Sequence, residues 1–216
     1  IPVARANGIT HFLPVPQGGT VTGQSGLMAT AGWGYENMLA HSPVALHLFW
    51  PSMNINPTAD DAKKQAKERD KRLKRIDDFF EEARAYAKSQ SAPDHKGVPS
   101  WDAMLPWVRG EKPVIIHANS QVQIESAIDW STKRGWKPVI AGGRDAWRVA
   151  ELLAKHNVPV IFEHTFTLPT RDFDRYDIQF RAAGILHKAG VKVAFSEGLA
   201  RFAASNARNL PYSAAQ

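Results

Sequence analysis

The chain has no cysteine, which removes disulfides, thiolate metal sites and cysteine nucleophiles together and fits any redox compartment. It also lacks any run of about 18 consecutive apolar residues, so no stretch reads as a membrane-spanning helix. Its first residues show no charged-then-apolar secretion pattern. Nucleotide fingerprints are missing as well. GGTVTGQSG breaks the G-x-G-x-x-G spacing, IAGGRDAW supplies only adjacent glycines, and no GK[ST] completes a phosphate loop. What is present is a 216-residue chain, 44% hydrophobic and 22% charged, long enough for one large core. A single domain over 1–216 is the expectation, and the compartment is not legible. Because the chain opens at Ile1 without an initiator Met, a piece of something longer is also expected.

The formal net charge of +6 invites a polyanion partner. Its distribution points elsewhere. Much of it lies in KKQAKERDKRLKR, residues 63 to 75, where acids interleave and Leu73, Ile76, Phe79, Phe80 and Ala83 recur at helical spacing. That is the solvated face of an amphipathic helix, so neither nucleic acid nor a membrane is expected as a partner.

Strand-like runs alternate with helical ones. GITHFLPV (8–15) reads as a strand, PQGGTVTGQSG as a Gly-rich loop, and PVALHLFW (43–50) as a second strand closed by Pro51. Residues 58–89 read as the longest helix, with Thr58 as N-cap ahead of Asp60 and Asp61, and 90–98 as a loop. The second half is regular: strands at 113–118, 137–141, 158–162 and 191–196, with helices at 121–134, 144–156 and 175–189 between them. Right-handed βα repeats of this kind require parallel strands. A barrel and an open doubly wound sheet both satisfy them, and the missing nucleotide fingerprint favours the barrel.

In either fold the chemistry gathers where strands end. KPVIIHAN places His117 at such an end, and VIFEHTFTLP places His164 just past another. Glu163 beside His164 alternates to the opposite side. Asn119 is read as a carbonyl-orienting group or as the cap of the helix from 121, the cap being favoured. In GGRDAW, Arg144 at a helix N-terminus suits a carboxylate or phosphate, unless Asp145 holds it as a solvated partner. Asn206 and Arg208, after the last strand, are further substrate-binding candidates. His47 inside ALHLFW reads as a satisfied core histidine, as does His11. The seven tryptophans are read mainly as packing between helices and sheet.

Four segments in order, GITHFLPVPQGGTVTGQSG, KPVIIHAN, VIAGGRDAWRVAELLAKHNVPVIF, and VKVAFSEG followed by ASNARNLPYSAA, resemble the metal-dependent amidohydrolase superfamily. The likeness is to its imidazolonepropionase-like branch and touches most of the chain. It implies a (β/α)8 TIM-barrel-like fold, incomplete here: a first strand ending in His-x-His would precede Ile1, and helices with a small β domain would follow Gln216. It implies hydrolysis of C–N bonds, amide or cyclic amide, in a small-molecule substrate with a divalent metal, most simply zinc. His117 takes the place of the fifth-strand ligand, and His164 is the second metal candidate. Gly142 stands where the sixth strand would supply a His, and Gly198 where the eighth would supply an Asp. Glu197 beside it is the candidate acid–base group. PVALHLFW supplies no bridging Lys or Glu, so the resemblance implies a degenerate metal site, and its alternative is a binding protein without turnover. An uncovered strand edge implies self-association or a complementary fragment of the same protein.

Overall fold

The computed structural model describes residues 2–58, 61–199 and 203–216. Asp60, and Ala200 to Phe202 of the distal segment, lie outside the described residues. Seven strands form one sheet in chain order: β1 (His11–Phe12), β2 (Val21–Ala29), β3 (Leu39–Phe49), β4 (Val114–Ala118), β5 (Pro138–Gly142), β6 (Val160–Phe162) and β7 (Val193–Phe195). β1, β2 and β3 pair antiparallel, and β3 through β7 pair parallel. The order never reverses. A doubly wound sheet reverses where its helices change faces, whereas sequential right-handed crossovers keep all helices on one face and curl the sheet into a half-barrel.

Period-two alternation explains the two faces. From β3 to β6, Leu46, Leu48, Val114, Ile116, Ile140, Val160 and Phe162 point to the helical layer and join one large core. Their neighbours Ala45, Ile115 and Ala141 point to the concave side and form a small second cluster, with Leu13, Val139 and Ile161 against it. The helix Ala62–Ser89 lays Ile76, Phe80 and Ala83 onto the convex core, where Phe80, Trp130 and Trp136 meet at ring separations of 4.5–5.5 Å. Trp33, 92% exposed, is the exception to the packing role expected of the tryptophans. Asp77 fixes this helix to the next layer by accepting from Trp130 Nε1 at 2.7 Å and from Arg134. None of the described helices is long and apolar enough to cross a membrane.

The first third departs from expectation. The strand expected over 8–15 shrinks to two residues, and the Gly-rich stretch read as a loop contains the first part of β2, Val21 to Gly26. Gly23 and Gly26 hide its alternation, and its pairing with β3 is broken by register shifts between Val21 and Gly23 and between Ser25 and Leu27. The long helix starts at Ala62, not 58, and Thr58 instead donates to Asn56 Oδ1. The helix expected over 144–156 opens as a 3₁₀ turn, Ala146–Val149, before α-helix Ala150–Lys155. Asp145 stands at its N-cap position but gives its carboxylate to Arg171 at 2.9 Å and to Gln121 N, the first N–H of helix Gln121–Thr132, at 3.3 Å, so it does not cap its own turn.

Candidate functional site

The C-terminal ends of β3 to β7 lie side by side and form one rim. Across β3 and β4, Phe49 pairs in register with His117, and their rings stack at 4.2 Å and 10°. His117 Nε2 lies 3.0 Å from His47 Nδ1, and His47 Nε2 lies 2.8 Å from Ser25 Oγ. His47 is buried and satisfied as expected, but its partner is the rim histidine. Burial pulls both imidazoles down to about 4, and for His117 the neighbouring His47 adds to the effect, so both are neutral at neutral pH.

Asn119 is the hinge between the next three strands. Ser120, not Asn119, caps helix Gln121–Thr132, through a capping box with Gln123. Gln123 also accepts from Asn119 N at 2.8 Å and donates to Trp50 O at 2.6 Å, which pins the residue while leaving its side chain free. That side chain turns across the rim: its Oδ1 lies 2.7 Å from His164 Nε2 and accepts from Arg144 N at 3.4 Å. His164 is drawn down to about 4, by burial first and then by Arg144, with Asp145 opposing. An amide oxygen only accepts, so His164 presents Nε2–H there and is left with Nδ1 buried and unpartnered. Arg144 Nε is also buried without a partner, and Asp145 pairs with Arg171 rather than with Arg144. Among the described residues Arg144 makes no ion pair.

The two glycines at the expected ligand positions have physical causes. Gly142 has φ +93°, and a Cβ there would lie 2.5 Å from Asn119 Oδ1. Gly198 has φ +76°, and a Cβ there would meet Glu163 Oε2 at 3.1 Å. At both places the side chain from the preceding rim position fills the space in which a residue-142 or residue-198 side chain would begin. Gly142→Ala is therefore expected to lower stability by at least about 2 kcal/mol, from left-handed backbone strain together with displacement of Asn119. A thermal melt falling by less than about 3 °C would contradict the crowding described here.

Glu163 is the residue that sequence reasoning undervalued. Ile161 belongs to the concave cluster, and period two carries Glu163 to the same side, one residue past β6. Burial pushes its carboxyl up to about 7. The available signal was the alternation itself, read against the concave rather than the helical face. Glu197, the carboxylate chosen from the sequence, accepts from Ser213 Oγ at 2.8 Å and ties the loop after β7 to helix Leu210–Ala215. Asn206 and Arg208 are exposed on the short helical turns after β7. Thus Asn119, Arg144 and His164 share one cluster, His117 belongs to a second with His47 and Ser25, and Asn206 and Arg208 join neither.

A structural zinc or hydrolytic metal site needs at least three protein ligands. No three His, Asp or Glu side chains converge to hold an ion among the described residues. His117 commits Nε2 to His47, and His164 commits Nε2 to Asn119. The described residues therefore do not by themselves fit the metal that the resemblance implies. Two grooves, of about 510 and 430 Å³, lie away from this chemistry. One is walled by Leu46, Phe79 and Trp101 under the helices, the other by Phe180, Phe195 and Ser213 beside β7. We place the functional site at the rim, where the titratable groups are, and not in either groove.

No protein-family model matches the chain, and no curated protein matches it in sequence. In three dimensions it is similar to an amidohydrolase from Thermotoga maritima MSB8, with a TM-score of 0.80 and 20% sequence identity. The match covers 100% of this chain and 57% of that one, so the chain spans little more than half the neighbour's length. At this identity the likeness shows a shared α/β half-barrel fold.

Proposed function

We propose that the chain carries the rim of an amidohydrolase-type enzyme that hydrolyses a C–N bond in a small amide or cyclic amide. The observation that carries this reading is Glu163, whose carboxyl lies against Gly198, where the resemblance puts the acid–base Asp. In this role Glu163 takes a proton from the attacking water and returns it to the leaving nitrogen. Asn119 orients the substrate, Arg144 holds an anionic group through its terminal guanidinium nitrogens, and His117 presents a neutral nitrogen to the same rim. No step above runs through the zinc that the resemblance implies.

A second reading, ligand binding without turnover, is favoured by the missing three-ligand group among the described residues. One experiment separates them: the purified chain is assayed against a panel of amides and cyclic amides, with elemental analysis of the same sample. Turnover lost in His117→Ala supports the enzyme. A small polar molecule bound but never cleaved, by wild type and His117→Ala alike, supports the binding module and ends the hydrolase reading.

A further inference from the structure

Ser25, His47 and His117 lie on three neighbouring strands, β2, β3 and β4, joined by contacts of 2.8 and 3.0 Å. The composition suggests a serine nucleophile with its base. Burial rules that out, because Ser25 is 2% exposed and no substrate reaches its Oγ. The line must be read outward, from Ser25 as the anchor to His117 at the rim.

Its polarity follows from counting protons. Two imidazole nitrogens 3.0 Å apart cannot both carry hydrogen and cannot both be bare, so one donates and the other accepts. A serine hydroxyl has one proton, and Ser25 Oγ donates to Ala45 O at 3.3 Å, a carbonyl that only accepts. Oγ is then an acceptor toward His47, so His47 carries its hydrogen on Nε2 and its Nδ1 is bare. His117 must therefore supply the hydrogen of the 3.0 Å contact from Nε2. Its Nδ1 is left with the lone pair, and no described residue hydrogen-bonds to it. Stacking on Phe49 at 10° holds the plane of the ring, so orientation and tautomer are fixed by different neighbours.

We infer that Ser25 and His47 are positioning residues that hold His117 in its Nε2–H tautomer, so that its Nδ1 presents a lone pair at the rim, suited to a proton donor such as an amide N–H or a hydroxyl. A carboxylate or carbonyl oxygen is turned away from this position and belongs instead with Arg144. The catalytic use of this lone pair rests on the hydrolase reading above; the tautomer itself does not.

Side-chain nitrogen NMR on the ¹⁵N-labelled chain, with His47→Gln and His117→Gln to assign signals, reads the tautomer directly. For wild type at neutral pH we expect His117 with a protonated Nε2 and a bare Nδ1, and His47 likewise. Ser25→Ala removes the anchor, and the His117 signals should move to a mixture of tautomers, while Ser25→Thr keeps the hydroxyl and restores the wild-type pattern. On a cleaved amide, Ser25→Ala should lower kcat at least about tenfold with KM unchanged. A wild-type His117 protonated on Nδ1, or a Ser25→Ala spectrum identical to wild type, overturns the inference. Absence of any turnover overturns only the hydrolase reading, since the wild-type spectrum still decides the tautomer.

Discussion

Replacing Glu163 with Gln should lower kcat by about a thousandfold and, at the same time, stabilise the fold above neutral pH. The first effect is the usual size for losing a positioned acid–base group. In wild type, with burial holding the carboxyl at about 7, kcat/KM should rise with pH through that value, because the ionised form is needed to accept the proton from water. The second effect follows from linkage. A carboxyl at 4.5 in the unfolded chain and at about 7 in the fold binds its proton more tightly when folded. Its contribution is fully present below 4.5 and is lost as pH rises through 7, at most about 3 kcal/mol. Gln mimics the protonated form and cannot ionise, so the variant should match wild type near pH 4 and exceed it by about 1–3 kcal/mol at pH 8. Parallel melts at the two pH values, alongside kinetics, separate the effects. Full turnover in Glu163→Gln with none in Glu197→Gln would move the role to the carboxylate chosen from the sequence.

The second half of the fold was legible because its signals agree. In β4, three β-branched residues run up to His117, then Ser120 and Gln123 mark the helix start, and the observed strand and helix fall within two residues of the expected bounds. The first third was not, because the middle of β2 is Gly23, Gln24, Ser25 and Gly26, whose side chains carry no hydrophobic period. That one miss hid half of the site. With β2 read as a loop, His47 had no polar neighbour to suggest and looked like an isolated core histidine. Paired against Ser25 on one side and His117 on the other, it becomes the middle of a line. Asn119 was half-read for a related reason: capping was the sound local expectation, but Ser120 took the cap, and only the curl of the sheet brings His164 to the freed amide. The glycines at 142 and 198 could be seen from the sequence as departures. What fills their space, Asn119 and Glu163, is a relation between neighbouring strands that no single segment contains.

Acid should unfold the chain cooperatively between about pH 6 and pH 4, through the three buried imidazoles at the rim. His47, His117 and His164 are each held near 4 in the fold, against 6.5 for the free side chain, chiefly by burial. As pH falls below 6.5 the unfolded chain takes up protons that the fold refuses, so the stability contributed by neutral imidazoles is complete above 6.5 and is lost on descending through 4. Each gap corresponds to at most about 3 kcal/mol. His47 and His117 share one hydrogen bond and titrate as a pair, so their two contributions belong to the pair and not to either ring. Together with His164 the loss is at most about 9 kcal/mol, comparable with the whole stability of an ordinary domain. Glu163 acts with the opposite sign, losing its contribution as pH rises from 4.5 through about 7. The stability of wild type should therefore climb from pH 4 and level off near pH 7, because the Glu163 loss is smaller than the imidazole gain and falls over the same range. His164→Gln should make this climb shallower, whereas Glu163→Gln should make it steeper and raise the level reached above pH 7. Denaturant midpoints measured from pH 4 to pH 8 give the curve, and a wild-type profile that is level from 7 down to 4 would mean that these imidazoles are not kept neutral by the fold.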